Sequence, residues 1–134
     1  RKAAGDRAVL RAIHFFAENK RAIAEKKALT EDRFADFLAI CKESGRSSFE
    51  YLQNVYSPSN PKEQGLSLAL AVAERTLGDR GAYRVHGGGF AGTIQAFVPD
   101  DLLEKYLTSM RSVFGNDSCY VLNIRPVGGT EVKA

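Results

Sequence analysis

The chain has 134 residues, of which 44% are hydrophobic and 26% are charged, and its formal net charge is +3. These values are close to the averages for globular domains, so they exclude a collagen-like fibre, a disordered tail and a disulfide-stapled miniprotein. No apolar run approaches the ~20 residues of a membrane span, and so small a positive charge does not favour a nucleic-acid partner. We therefore expect a single domain, residues 1–134, with a core of its own and with neither a membrane nor a nucleic acid as partner.

Cys41 and Cys119 are the two cysteines, and they lie far apart in apolar segments. We interpret them as free thiols in a reducing cytoplasm. Neither has the spacing of a metal ligand, and the two histidines, His14 and His86, are not near them in the sequence. The sequence thus predicts a cytoplasmic protein without a metal site.

The N-terminal third predicts two helices. Asp6 is a possible N-cap of the first helix, whose predicted buried stripe consists of Leu10, Ile13, Phe16, Ala17 and Ile23. The second helix is predicted to begin at Thr30 and to end at Ser44-Gly45. Its predicted buried face consists of Phe34, Phe37, Leu38 and Cys41.

Two further helices are predicted before the pattern changes. Ser47 and Glu50 have the spacing of a capping box, which predicts a short third helix. Asn60 followed by Pro61 predicts the start of a fourth helix, and Gly78 predicts its end.

The period then becomes strand-like. Residues 82–86 and 93–98 are predicted strands, and a helix is predicted to follow from Asp100 to a stop at Gly115-Asn116. Residues 118–124 are the last predicted strand. Three tyrosines fall on core-facing positions of these elements, namely Tyr83, Tyr106 and Tyr120. The predicted class is α+β, with helices packed on a small antiparallel sheet.

The predicted order of elements lacks one strand. A β-α-β-β-α-β sandwich needs a strand before its first crossover helix, and none precedes Asp6. This suggests the hypothesis that the chain is a fragment whose upstream portion was removed. The hypothesis predicts an uncovered sheet edge or an exposed apolar patch.

A glycine cluster separates the first two predicted strands. Gly87, Gly89 and Gly92 spell G-x-G-x-x-G, but a dinucleotide-binding turn needs a helix directly after these glycines. Here a strand follows and Pro99 ends it, so the loop joins two strands. Such a bare backbone either approaches a ligand or another loop closely, which we favour, or it forms a wide hairpin turn without a ligand.

The cluster also resembles a known family. The third conserved motif of the GHMP kinases, in its galactokinase version, is similar to the segment Arg84-Val85-His86-Gly87-Gly88-Gly89-Phe90-Ala91-Gly92-Thr93. Shorter segments similar to galactokinases are Arg11-Ala12-Ile13-His14, Glu18-Asn19, Glu43-Ser44, Phe97-Val98-Pro99 and Val121-Leu122-Asn123-Ile124-Arg125-Pro126 with Gly128. The resemblance runs from about residue 7 to residue 132.

The resemblance implies the C-terminal lobe of a galactokinase, an enzyme that transfers the γ-phosphate of ATP to the C1 hydroxyl of galactose with Mg²⁺. It implies a ferredoxin-like domain lacking its first strand, with its own N-terminal lobe as partner. The loop that corresponds to Gly87–Gly92 would approach the reacting phosphates and position them through backbone groups. The catalytic Asp and the sugar-binding residues belong to the N-terminal lobe of such enzymes. We therefore assign no catalytic residue here, and we expect the chain alone to bind no cofactor tightly and to transfer no phosphate.

Several residues in or near the loop carry alternatives. His86 and Ala91 stand where the family commonly has Thr and Gly, and the His86 imidazole either donates to a phosphate or packs against a helix. Arg84 either faces phosphate or pairs with an acid. Phe90 is predicted to anchor the loop to the core, the alternative being a stacking surface. His14, which the family keeps, is predicted to be a partly buried structural residue.

Three other functions stay open. The glycine motif is shared by other sugar and small-alcohol kinases of the superfamily. Some relatives of galactokinases are non-enzymatic, sugar-responsive regulators. Apart from the resemblance, the residues are also compatible with a free-standing small-molecule-binding module. The upstream reading frame would distinguish these possibilities.

Overall fold

The computed structural model of the chain describes residues 1–90 and 92–124. Within these residues the fold is α+β, as predicted: helices packed on a small antiparallel sheet. The elements, in chain order, are α1 (Gly5–Thr30), α2 (Phe34–Ser47), a π-helical turn (Ser48–Leu52), α3 (Gly65–Leu77), β1 (Ala82–Val85), β2 (Ile94–Phe97), α4 (Asp100–Phe114) and a 3₁₀ turn (Asn116–Ser118).

The β1–β2 hairpin lies between two layers of helices. Ala82 pairs with Phe97, and Val85 pairs with Ile94. Because side chains alternate between the faces of a sheet, neighbouring residues of β1 contact different helices. Val85 and Ile94 pack against α3, whereas Ala82 and Phe97 pack against Phe37 of α2 and its neighbours.

Three apolar clusters hold these layers together. One joins α3 to α4 under the sheet and consists of Ala69, Ala73, Leu77, Tyr106 and Met110. The second joins α1 and α2 to the opposite face and consists of Ala28, Phe37, Cys41 and Ala82. The third consists of Val55, Leu66 and Val85. It fixes the segment after the π-helical turn to the end of β1, where the glycine-rich loop begins.

The predicted buried stripe of α1 is wrong. Ile13, Phe16 and Ile23 are exposed, Phe16 by 67%. The residues that α1 buries are spaced by seven, two helical turns apart, and they are His14, Arg21 and Ala28. The burial is polar because the facing part of α2 carries buried serines that accept and donate hydrogen bonds.

An exposed apolar patch, as the fragment hypothesis expects, is present on α1. The rings of Phe15 and Phe16 meet edge to face with centroids 5.6 Å apart, and both side chains are more than half exposed. Ile23 lies exposed two turns further along the same helix.

The boundaries of α2 differ from the prediction at both ends. Thr30 is the last residue of α1, where its hydroxyl donates to the carbonyl of Lys26 over 2.9 Å, and α2 begins at Phe34. The helix does not end at Gly45. A Cβ built at Gly45 would lie 3.0 Å from both the Arg84 Cβ and the Tyr83 carbonyl oxygen. This glycine therefore permits β1 to approach the helix rather than ending it.

The third predicted helix is the π-helical continuation of α2. Ser47 does not form the predicted capping box with Glu50, because its hydroxyl bonds to His14 and Arg21 of α1. The fourth helix, α3, begins at Gly65 rather than at Asn60. The residues around Asn60 form two four-residue turns instead, in which its N–H donates to the Ser57 carbonyl and its carbonyl accepts from the Glu63 N–H.

Most predictions for the second half are confirmed. The two strands of the hairpin lie where expected, and α4 begins at Asp100 as predicted. Helices α3 and α4 end before Gly78 and Gly115, also as predicted. These two glycines have φ of 54° and 93°, which suits a residue without a Cβ. Two of the three tyrosines pack as predicted, since Tyr83 contacts the α3–α4 cluster and Tyr106 belongs to it.

The predicted last strand is not formed. Residues 116–118 are a 3₁₀ turn, and residues 119–124 belong to no strand. Tyr120, predicted to face the core, is 81% exposed, and Leu122 and Ile124 are exposed as well. The alternation of apolar residues is strand-like, but in this structure the segment pairs with neither β1 nor β2. Among the described residues, no helix is long and apolar enough to cross a bilayer.

Candidate functional site

The glycine-rich loop joins β1 to β2, as predicted. The His86 N–H donates to the carbonyl of Thr93 over 3.0 Å and closes its base, and the Gly92 N–H donates to the Gly89 carbonyl over 3.2 Å. Gly87, Gly89 and Gly92 have φ of 62°, 87° and 86°, a region that favours glycine. A strand follows the loop, so the rejection of a dinucleotide-binding turn is confirmed.

The outer part of the loop is bare. A Cβ built at Gly87, Gly88 or Gly92 meets no atom of residues 1–90 or 92–124 within 4 Å. Among the described residues, no backbone carbonyl accepts the N–H groups of Gly87, Gly88 or Gly89. The sign of φ also alternates, since Gly87 and Gly89 are positive and Gly88 is not. Consecutive N–H groups in such an arrangement can turn toward one side and form a concave site for an anion.

The residue that anchors the loop to the rest of the domain is Asn54 and not Phe90. The Asn54 amide Nδ2 donates to the Gly88 carbonyl over 3.3 Å, and Gly89 packs directly against it. Phe90 is 56% exposed, so the prediction that it anchors the loop is wrong. Asn54 could not be predicted from the sequence as a contact of the loop, because it is 34 residues away from Gly88 and lies in a connector without a motif.

A groove of about 870 Å³ begins beside the loop. Phe90, Gly92 and Thr93 line its end nearest the loop, and mostly apolar residues of α3, α4, β2 and the segments 55–63 and 118–123 line the rest. The charged residues among those that line it are two acids, Glu63 and Asp100. An anion at the loop would therefore be met by backbone N–H groups of this chain, and by no cation from the groove's described lining.

Arg84 pairs with an acid, which is the second of its two predicted contacts. Its Nη1 lies 3.2 Å from Oε1 of Glu18 on α1. The same carboxylate accepts from Arg21 Nε over 2.8 Å and from the hydroxyl of Ser44. We call the set His14, Glu18, Arg21, Ser44, Ser47 and Arg84 the polar cluster. It ties α1, α2 and β1 together.

The polar cluster also explains His14. Arg21 Nη2 donates to the Ser47 Oγ over 2.9 Å, and His14 Nδ1 lies 3.0 Å from the same oxygen. The hydroxyl hydrogen of Ser47 is then available to a neutral imidazole. Burial lowers the pKa of His14, with Arg21 and Arg84 acting in the same direction and Glu18 opposing them. His14 is therefore buried more deeply than predicted, and its partner is a serine hydroxyl.

Glu18 stays ionised at the centre of the cluster. Burial alone would raise its pKa, but the hydrogen bonds from Ser44 and Arg21, together with the charge of Arg84, hold it below its ordinary value. His14, Glu18 and Ser44 all belong to the short segments that resemble galactokinases. The structure brings them together in the polar cluster, which contacts β1 through Arg84.

Four other residues considered in the sequence analysis are His86, Ala91 and the two cysteines. The His86 side chain is exposed beside the loop, and Ala91 lies outside the described residues. Both cysteines are free thiols, Cys41 buried and Cys119 half-buried. Within residues 1–90 and 92–124, no three His, Cys, Asp or Glu side chains are grouped so that they could hold a metal ion.

No family model matches this sequence, and no solved structure matches its fold.

Proposed function

We propose that this chain is the C-terminal lobe of a galactokinase, in which the glycine-rich loop positions the phosphates of ATP for transfer to the C1 hydroxyl of galactose. One observation carries the proposal. The loop presents three glycines, Gly87, Gly88 and Gly92, whose outer side meets no side chain of the described residues, and Asn54 supports the loop through the Gly88 carbonyl. Phosphoryl transfer needs positioning and charge stabilisation rather than a covalent group from the protein, and backbone N–H groups supply both.

The order of elements supports a ferredoxin-like domain of the GHMP type. Helix α3, the β1–β2 hairpin and helix α4 follow one another as in the middle of a β-α-β-β-α-β unit. Both helices also pack on the same face of the hairpin through one apolar cluster. The finer fold name rests on this order and on the resemblance of the loop.

The remaining groups of the active site come from a partner lobe. A triphosphate carries several negative charges, while the groove beside the loop carries the acids Glu63 and Asp100. ATP, Mg²⁺ and galactose therefore bind mainly through the N-terminal lobe of the same enzyme, and the loop closes over the phosphates. The exposed Phe15 and Phe16 of α1 provide apolar surface for contact between lobes.

The test is a kinase assay on the complete reading frame that encodes this chain. We expect ATP-dependent formation of galactose 1-phosphate by the complete protein and none by residues 1–134 alone. A panel of other sugars and small alcohols distinguishes another kinase of the superfamily. Binding of ATP and galactose without turnover would indicate a regulator, and binding of neither would overturn the proposal.

A glycine variant links the activity to the loop. Gly88→Ala adds a methyl group into open space at a residue without positive φ, so the fold should be unchanged. If phosphate lies there, the methyl group displaces it, and kcat should fall by about tenfold or more. Gly65→Ala, at another residue with open space and without positive φ, adds the same methyl group to the wall of the groove instead of the loop, and it should retain most of the activity if only the loop approaches phosphate. Full activity of Gly88→Ala would argue against close approach of phosphate.

A further inference from the structure

Asn54 is a buried amide with a partner on each side. It is 2% exposed. Its Oδ1 accepts from the hydroxyl of Ser48 over 2.9 Å, and its Nδ2 donates to the Gly88 carbonyl over 3.3 Å. The second bond fixes which way the amide faces, because the Gly88 carbonyl only accepts and therefore selects the NH₂ group, which leaves the amide oxygen to accept from the Ser48 hydroxyl.

The backbone on both sides of Asn54 is fixed as well. Gln53 ends the π-helical turn with a left-handed φ of 55°, and its N–H donates to the Ser48 carbonyl over 2.9 Å. Val55 is buried against Leu66 and Val85 at the end of β1. The side chain of Asn54 is therefore held on a rigid frame that is continuous with the first strand of the hairpin.

This contact determines how the loop presents one of its N–H groups. In a trans peptide the carbonyl and the N–H point in opposite directions. Because the Gly88 carbonyl points to Asn54, the Gly89 N–H of the same peptide points away from it. A side chain at Gly89 is excluded, since a Cβ there would overlap the backbone carbonyl oxygen of Asn54 and would also lie 2.8 Å from Cγ and Nδ2 of its side chain.

We propose that Asn54 is a positioning residue: through Ser48 on one side and Gly88 on the other, it turns the Gly89 N–H outward, toward the nucleotide phosphate. The inference rests on the proposed function. Asn54 itself touches no reacting atom, and its action is to set the orientation of the peptide between Gly88 and Gly89.

The first experiment uses residues 1–134 and NMR of the loop amides. Asn54→Asp keeps the acceptor for Ser48 but replaces the donor to Gly88 with a carboxylate oxygen. We expect the Gly88 carbonyl carbon and the Gly87–Gly89 amides to shift, and their ¹⁵N relaxation to show faster motion, while β1 and β2 keep their signals. Asn116→Asp, the same change at an exposed residue, is the matched control and should leave the loop unchanged.

A second variant covers the case in which Asn54→Asp does not fold. Ser48→Ala leaves the Asn54 amide intact and removes only the donor that holds its oxygen in place. It should move the same loop signals in the same direction, by a smaller amount. Loop signals identical to those of the unsubstituted chain in a folded Asn54→Asp or Ser48→Ala protein would overturn the proposal.

The second experiment measures kinetics in the complete protein. Misplacement of one N–H by Asn54→Asp should lower kcat on the order of 10–100-fold, while the KM for galactose stays unchanged. A raised galactose KM with kcat unchanged would overturn the positioning role. If the unsubstituted complete protein transfers no phosphate, the proposed function fails, and so does the assignment of a nucleotide phosphate as the group that the Gly89 N–H faces. The NMR result still decides whether Asn54 orders the loop.

Discussion

Two neighbouring serines at the end of α2 separate two regions of opposite character. The Ser47 hydroxyl bonds to Arg21 and lies 3.0 Å from His14, so it belongs to the polar cluster. The Ser48 hydroxyl bonds to Asn54, which holds the glycine-rich loop. In the polar cluster nearly every donor and acceptor meets another side chain, whereas the loop leaves N–H groups without a carbonyl partner among the described residues.

This difference separates support from function. Charged side chains are often taken as candidates for a functional site. Here Glu18 forms ion pairs with Arg21 and Arg84, and these pairs stabilise the packing of helices on β1. The loop contributes almost no side chain, and its open backbone is what a ligand could use. The chemistry we propose therefore lies with the glycines, and the charges hold the strand that carries them.

The largest expected effect comes from breaking the polar cluster. Arg21→Met keeps the length of the side chain but leaves Glu18 with only Ser44 and Arg84 as partners, so the free energy of unfolding should fall by about 3 kcal/mol. Urea unfolding followed by circular dichroism measures this change.

The matched control for Arg21 is Arg33, which pairs with Glu31 and Asp36 in an exposed position. Arg33→Met should leave the free energy of unfolding unchanged within error, because exposed ion pairs contribute little. Equal effects of the two variants would show that burial does not distinguish the cluster from the surface.

A smaller effect is expected from pH. The pKa of His14 is 6.5 in an unfolded chain and lower in the folded one, because of burial first and then the charges of Arg21 and Arg84. Below pH 6.5 the unfolded chain takes up a proton that the folded chain does not, so stability is full above this pH and decreases as the pH falls toward the folded pKa. The pKa of Glu18 is lowered from 4.5, so its contribution is lost only in a separate, more acidic range.

Urea midpoints between pH 7 and pH 5 measure the effect of His14. In His14→Gln the decrease should become shallower, because the group that protonates on unfolding is gone. His86→Gln removes the other histidine and keeps His14, so it should retain the decrease. A decrease of the same slope in His14→Gln would assign the pH dependence to another group.

The hairpin could be predicted from the sequence, but the supports around it could not. Residues 82–85 and 94–97 alternate as strands do, and the glycines between them permit the positive φ values that the turn adopts. Local patterns decide such features. The contact that anchors the loop could not be predicted, because Asn54 and Gly88 are 34 residues apart and no local pattern marks Asn54 as buried.

Helix α1 shows a second limit of the sequence. The prediction placed apolar residues such as Phe16 inside, but the side that packs on α2 is decided by hydrogen bonds of Arg21 and His14 to Ser47. The predicted end of α2 at Gly45 was wrong for a similar reason, because a long-range contact determines the role of this glycine. A glycine predicts the end of a helix, yet here it makes room for β1, a contact that exists only after the chain has folded.

The least perturbing test compares the two regions through their cysteines. Cys41 is buried between α1, α2 and the sheet, and burial, together with the charge of Glu25, raises the pKa of its thiol to about 12. At pH 8 only about one Cys41 thiol in 10⁴ is then ionised. Cys119 is half-buried at the edge of the groove. A thiol reagent such as iodoacetamide, followed by mass spectrometry, should modify Cys119 within minutes and leave Cys41 unmodified until urea unfolds the chain. Rapid modification of Cys41 in the native protein would mean that the α1–α2 layer opens readily, and the contrast between a closed support and an open loop would then be lost.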